Sequence, residues 1–317
     1  MIRLNGLGRY LQVVFLLSMS GWVDSAVEPE SMTDVTVVLS EHGQVYQQVY
    51  EGIRSRLSPD INVHLEDITS WNPDPTHGVH VGVGAAATRR LLDFPELSVR
   101  LGVLLPSYVL GSLLADNIQA QQAVETRRLS FIYLDQPGER QINFAKLIRP
   151  GLKSVGTIYD QSSEQIALQL KAAATETGLS FRMQSLSDQD NPVSVLRRMY
   201  ADIDVFIAIP AAYIFNGATA KWMLYLSFQN GKPLLGFSSA YTGSGALASV
   251  YSDPDDIARQ AAQWISNLTS ADGTLPRSAY PDYFHVKINQ RVAARLKLNN
   301  LDASQLEEKL KAMESAR

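Results

Sequence analysis

The chain has 317 residues, 45% hydrophobic and 19% charged, a balance that belongs to a globular protein with room for two α/β lobes and not to a disordered chain. A net charge of −4 offers no basic field to a phosphate backbone, which argues against nucleic-acid binding. Cysteine is absent, so disulfides, thiolate metal sites, thiol nucleophiles and lipoprotein acylation on cysteine are excluded.

At the N-terminus, Arg3 and Arg9 precede the apolar run 11–17, and the small residues Ser18, Ser20 and Gly21 follow. This charge–apolar–small order predicts a secretory signal peptide over 1–25, cleaved after Ser25; the run is too short to span a bilayer. An uncleaved anchor is the alternative. With no cysteine, the expected product is a freely diffusing periplasmic protein.

Strands and helices then alternate. Residues 34–39 (DVTVVL) form a continuous apolar run, as expected of a strand covered on both faces. A helix is predicted over 43–57 with Val45, Val49, Ile53 and Leu57 on one stripe, stopped by Pro59. Strands follow at 61–65, 78–83, 99–105 and 129–134, with helical pieces at 85–93, 109–115 and 139–148. Pro150 and Gly151 break the pattern, and the first crossing between lobes is placed there. The second half repeats the alternation: strands at 155–159, 179–185, 205–209 and 233–237, helices at 163–177, 192–201 and 214–229. The last helix is read with Phe215, Ala218, Trp222, Tyr225 and Leu226 facing inward. Such alternation implies parallel strands joined by right-handed crossovers, in two sheets. The tail, 304–316, carries a thin Leu306, Leu310, Met313 stripe and is expected to dock as a surface helix without a part in the chemistry.

In open parallel sheets, ligands bind outside the carboxyl ends of strands. The predicted strand ends bring together Ser40 and Glu41, Gly84 and Ala85, Asp135 and Gln136, Asp160, Gln161 and Ser162, Tyr213 with Asn216, and Ser238, Ser239 and Tyr241. Ser40, Gly84, Ala85, Gln136, Gln161, Ser162, Tyr213, Asn216, Ser238, Ser239 and Tyr241 are therefore the candidate ligand contacts. The set holds hydroxyls, amides and two tyrosines but little cation. It favours a neutral or zwitterionic ligand of amino-acid size, its carboxylate on helix N-termini and an aromatic wall beside it. Tyr213 and Tyr241 are alternatively core-edge residues.

Competing chemistries are weaker. Gly82-Val83-Gly84-Ala85-Ala86-Ala87 has dinucleotide-type spacing, but the next strand ends in Leu105-Pro106 without a ribose-binding acid. An amide cradle for a small anion and a tight ligand-free turn both remain open. Gly236-Phe237-Ser238-Ser239-Ala240 is a weakened nucleophile elbow, since Tyr241-Thr242-Gly243-Ser244-Gly245 is a poor helix start. The five histidines form no ligand spacing, and Asp253, Asp255 and Asp256 read as a helix cap. No metal, cofactor or catalytic residue is expected, and no Gly-x-x-x-x-Gly-Lys motif is present for ATP.

Two blocks carry a family resemblance. One is 232–264, KPLLGFSSAYTGSGALASVYSDPDDIARQAAQW, with a Pro-hydrophobic-Gly-Phe-Ser strand, a Gly-Ala-Leu-Ala strand and a Gln-Ala-Ala helix. The other is 135–163, DQPGERQINFAKLIRPGLKSVGTIYDQSS. Both resemble the substrate-binding proteins of ABC transporters with type I periplasmic-binding-protein architecture, among them the tryptophan and aromatic amino-acid type. Here Gly138 runs directly into a helix where many members insert a Thr-Gly-Val turn, so ligand contacts from that segment do not carry over. The resemblance implies two doubly wound parallel-sheet α/β lobes joined by a hinge. Residues 33–149 plus 246–273 would form the first lobe and 150–245 plus 280–300 the second, with 301–317 as the tail helix. The chain would cross back after Gly245, making Pro150, Gly151, Gly243 and Gly245 the hinge. It further implies a monomeric, non-enzymatic periplasmic component of an ABC uptake system. That component would close on an amino-acid-like solute and deliver it to an inner-membrane permease with a separate ATPase. The alternative is a secreted ligand-sensing module acting on a membrane receptor.

Overall fold

The computed structural model describes residues 34–73, 78–187, 189–211, 214, 217–268 and 273–316, with Gly217 and Ala218 described by backbone alone. The expected signal peptide and the candidate contacts Tyr213 and Asn216 lie outside these residues.

The first sheet takes β1 (Asp34–Leu39), β2 (Asn62–Asp67), β3 (Val79–Val83), β4 (Val99–Leu105) and β5 (Leu129–Tyr133) in the order β2-β1-β3-β4-β5, all parallel. Helices α1 (Gln44–Arg54), α2 (Ala85–Leu92), α3 (Val109–Leu114) and α4 (Ile118–Glu125) join them. Every residue of β3 and β4 is buried, which explains why these strands are apolar apart from His80 and Arg100. Edge strand β2 instead carries exposed His64 and Glu66, polar groups that discourage further pairing. The run 34–39 and the strands at 99–105 and 129–133 stand where the sequence places them; α4 had no counterpart in the sequence reading.

The remaining elements are α5 (Gly138–Ile148), β6 (Ser154–Tyr159), α6 (Glu164–Glu176), β7 (Ser180–Ser185), α7 (Pro192–Asp202), β8 (Val205–Ile207), α8 (Gly217–Gln229), β9 (Leu234–Gly236), α9 (Ser239–Gly243), β10 (Ala248–Tyr251), α10 (Pro254–Leu268), β11 (His285–Ile288), α11 (Gln290–Arg295) and α12 (Ala303–Ser315). The second sheet has the order β11-β10-β9-β8-β6-β7, parallel except for β11.

Two expected boundaries are corrected. Helix α5 sends Ile142, Phe144, Ala145 and Ile148 into the core of the second sheet, beside Val155, Leu170 and Val205. The first crossing therefore precedes α5, at Asp135–Pro137, and Pro150 and Gly151 form the turn from α5 into β6 within the second lobe, Gly151 with φ 80°. A helix break is a local event; a lobe boundary is decided by which core the helix packs against.

Likewise β10 pairs with β9, Ala248 opposite Leu235. The chain thus stays in the second lobe past Gly245 and crosses at Ser252–Asp253. Gly243 and Gly245 close α9 rather than form a hinge: Gly245 adopts φ 125°, and the Ala246 amide bonds back to the Tyr241 carbonyl at 3.1 Å. Helix α10 does belong to the first lobe, burying Ile257, Ala258, Ala261, Trp264, Ile265 and Leu268 against β1, β3, β4 and α1. The approach to α1 is close enough that a Cβ on Gly52 would sit 2.6 Å from that of Ala258. The third crossing runs beside β5, where the Tyr133 amide donates to the Ala279 carbonyl at 3.0 Å, and then enters β11.

Two helices differ from expectation. In α8 the buried positions among the described side chains are Thr219, Met223, Leu226 and Ser227, while Trp222, Tyr225 and Phe228 stand 41%, 52% and 50% exposed. Residues 239–243 form a one-turn helix in place of the expected open loop, because Ser238 caps it by accepting from the Tyr241 amide.

Candidate functional site in the interlobe crease

The carboxyl ends of β4 and β5 meet the turn between β6 and α6. A register shift between Val103 and Leu105, with Leu104 at φ 57°, turns the end of β4. The next residues reach the first crossing: Asp135, 4% exposed, accepts from the Ser107 amide and the Ser107 hydroxyl, both at 2.6 Å. Tyr108 packs on the core of the second lobe. From the third crossing, Tyr280 stacks edge-on against Tyr133 at 5.1 Å and donates to Oε1 of Gln169 on α6 at 2.7 Å.

These groups share one electrostatic environment. Burial pushes the Asp135 carboxyl above its ordinary range, opposed by its bonds to Ser107. Burial, then Asp160 and Asp135, raise the Tyr108 phenol; burial and then Asp135 push Tyr280 up to about 12. The phenols therefore remain protonated donors at neutral pH. Across the crease, Asp160 accepts from the Ser162 hydroxyl at 2.5 Å and from the Ser163 amide and hydroxyl at 3.0 Å, tying the β6–α6 turn.

The first-lobe candidates do assemble. The Ser40 hydroxyl accepts from the Ala87 amide at 2.8 Å, at the start of α2. Gly84 holds φ 88°, and a Cβ there would lie 2.7 Å from both Ser40 Oγ and the Tyr46 ring. Gly84 is buried and its amide donates to the Val103 carbonyl at 2.8 Å, the geometry of the tight-turn reading; at the start of α2, Ala85 is half-buried and Ala86 exposed.

The other candidates divide. Ser162 sits in the tied β6–α6 turn beside exposed Gln161. Ser238 and Ser239 begin α9, half-buried, with the Ser238 hydroxyl spent on the cap. Tyr241 is corrected: only 9% exposed, it stacks on Phe237 at 5.4 Å and directs its hydroxyl to Met223 Sδ at 3.8 Å, so it is core and not a ligand wall. Ser107, Tyr108, Tyr133, Gln169 and Tyr280 were not among the sequence candidates. For Ser107 and Tyr108 the signal was a position just past a strand end, the same rule that selected Ser40.

Gln136, a candidate ligand contact, is buried in the first crossing. Its amide donates to Ser252 Oγ at 2.9 Å, and Ser252 donates to the Tyr283 carbonyl at 2.6 Å, so one short chain links all three crossings. Arg140, 5% exposed in the first turn of α5, gathers the same segments. Its Nη1 donates to Gln136 Oε1 at 2.6 Å and to the Pro281 carbonyl at 2.9 Å. Nε and Nη2 hold both carboxylate oxygens of Glu314 at 2.6 and 2.8 Å, and the guanidinium lies 4.0 Å over the Phe284 ring. Helix α12, expected to dock as a surface helix, buries Leu306 and Leu310 in the second-lobe core and is tied to the crossings through Glu314.

Two α/β sheets, three tied crossings and strand ends converging on the crease define a two-lobed cleft protein of the type I periplasmic-binding-protein class. The family described as "ABC transporter substrate binding protein" matches residues 135–297, and the chain belongs to that family. It is a family of solute-binding proteins, not of enzymes, whose members act outside the cytoplasm with a membrane permease and ATPase. No curated protein matches the chain. Among solved structures, a ligand-free, open substrate-binding protein with adhesive properties from Clostridium difficile is similar over 85% of this chain and 96% of its own, with 12% identity and a TM-score of 0.66. A conserved domain protein from Vibrio cholerae matches over 87% and 98%, with 16% identity and a TM-score of 0.58. An ABC domain from Streptococcus pneumoniae in complex with L-Trp matches over 84% and 95%, with 16% identity and a TM-score of 0.56. At these identities the likeness is one of fold. No helix among the described residues is long and apolar enough to cross a membrane.

Proposed function

We propose that the chain is the periplasmic solute-binding component of an ABC uptake system, closing its lobes on an amino-acid-like ligand. The observation that carries this reading is the crease itself. The Tyr108 phenol lies beside the buried carboxylates of Asp135 and Asp160 and the Tyr280 ring beside Asp135, and past the end of β3 stands the start of α2, with Ala85 half-buried and Ala86 exposed. A zwitterion fits such a field: its ammonium toward the carboxylates, its carboxylate toward the helix start, a side chain against the tyrosine rings. Rotation about the three crossings would bring the β6–α6 turn over the ligand. Micromolar affinity needs roughly −8 kcal/mol, within reach of a few charge-assisted bonds and one buried ring. The aromatic wall in this reading is Tyr108 and Tyr280.

Native mass spectrometry of the protein isolated from periplasm, with gentle release and identification of bound solute, tests this. A co-purifying amino acid supports the reading. An empty protein whose melting temperature no amino acid raises, the aromatic ones included, removes it.

A further inference from the structure

A second arginine is buried at the far end of the first sheet, and no described carboxylate neutralises it. Arg100 is the second residue of β4, only 2% exposed, at the end of the strand opposite the crease. Its Nε has no hydrogen-bond partner, and Nη1 reaches only the Phe94 carbonyl at a long 3.4 Å. No carboxylate lies within ion-pair distance among the described residues. Its register partner on β3 is His80, also buried and with Nδ1 unbonded. Burial holds the Arg100 guanidinium below its ordinary pKa; Glu96 opposes this and Arg128 adds to it.

Arg100 is one of the residues that line a pocket of about 460 Å³. Gln119 and Gln122 from α4, Thr126 and Arg128 from the turn into β5, and Thr274 from the segment after α10 share its wall. The lining offers two arginines and two side-chain amides, and no carboxylate; the Thr126 hydroxyl is already donated to the Gln122 carbonyl at 2.9 Å. An unpaired charge is expensive to bury, and two like charges beside one pocket add to that expense. Both penalties fall when an anion with several acceptor oxygens enters, since guanidinium groups bind such oxygens in bidentate fashion.

We propose that this pocket is a binding site for a phosphate-class oxyanion, separate from the solute cleft. Arg100 supplies the buried fork, Arg128 the second charge at the rim, and the amides of Gln119 and Gln122 the remaining donors. The ligand is the phosphate group itself, free in solution or carried by a lipid headgroup.

The test is thermal unfolding and calorimetric titration of the whole protein with inorganic phosphate against chloride at matched ionic strength. Wild type should show a saturable rise in melting temperature with phosphate. Arg128→Ala should weaken binding about tenfold, and Arg100→Met should abolish it. Arg182→Ala, an exposed arginine on β7 of the second lobe, should bind like wild type. If Arg100→Met fails to fold, Arg128→Ala and Gln122→Ala still decide the matter. Sedimentation with phosphatidic acid vesicles against phosphatidylcholine vesicles separates the sources: capture lost in Arg128→Ala assigns the lipid headgroup, and phosphate binding without capture assigns the free ion. Absence of a saturable effect, or an equal effect in every variant, overturns the proposal.

Discussion

Arg140 and Arg100 are both buried guanidinium groups within one chain, and their surroundings could hardly differ more. Arg140 has acceptors on all three of its nitrogens, a bidentate carboxylate and an aromatic ring beneath it. Arg100 has one long bond to a carbonyl. A saturated buried charge is a tie, because every direction in which it could interact is already used. An unsaturated one beside a pocket retains the capacity to receive something. The contrast assigns the first arginine to the mechanics of the hinge and the second to recognition.

The largest effect should follow from breaking the saturated one. Arg140→Met strands Glu314 and leaves Gln136 and the Pro281 carbonyl short of a donor. It should lower unfolding free energy by about 3–5 kcal/mol, as removal of one partner of a buried pair does. Urea denaturation measures this directly, and a loss below about 1 kcal/mol would mean that the knot is ornamental.

The acid limb of stability should come next, and it sharpens the picture of the Arg100 side. His80 has its pKa lowered to about 4, by burial first and then by Arg100, with a bond to the Val99 backbone opposing. The folded state holds the ring neutral while the unfolded chain takes up a proton below about 6.5. Stability from this group is therefore complete above pH 6.5 and is lost as pH falls toward 4, by roughly 3 kcal/mol in total. Urea midpoints of His80→Leu should fall less steeply than wild type over that window. Parallel slopes would show that His80 is not the titrating group.

Glu314→Gln is a gentler probe of the saturated side, keeping an acceptor for one guanidinium nitrogen and losing the charge. Because Glu314 is about a third exposed, the expected loss is about 1–2 kcal/mol. Comparison with Arg140→Met tells whether α12 anchors the hinge or merely covers it: equal losses from both variants would contradict this ordering.

Sequence reading reached the buried strands and part of the crease. Runs such as 34–39 and 99–105 are mostly apolar because both faces are largely covered, and that pattern survives without knowledge of neighbours, although Arg100 interrupts the second. Ser40, Gly84 and Ala85 were legible because strand ends followed by helix starts are local. Lobe membership was not, since β10 and α5 look the same in either lobe and only long-range pairing with β9 or packing against α6 decides. Helix α8 was misread because both its faces carry large apolar residues, so Trp222 and Tyr225 satisfy a helical stripe as well as Met223 and Leu226 do. Tyr280 and the Gln136–Ser252–Tyr283 chain lie in crossings without periodicity. The two arginines are alike as letters in the sequence; their difference is entirely one of surroundings.

The smallest effect on stability should come from Arg100, and its smallness is the sharpest test of the comparison. Replacing it with methionine removes an unpaired charge and supplies an apolar chain of similar length to a site flanked by Leu97 and Ala123. No carboxylate is stranded, and the Phe94 carbonyl gives up only a long bond. The desolvation penalty of the guanidinium disappears at the same time. Folding free energy in phosphate-free buffer should therefore change by no more than about 1 kcal/mol, in either direction. In saturating phosphate the wild type alone should gain, so the two proteins diverge only when the anion is present. If Arg100→Met is as damaging as Arg140→Met without any anion, Arg100 is itself a structural tie, and the distinction between the saturated and the open arginine fails.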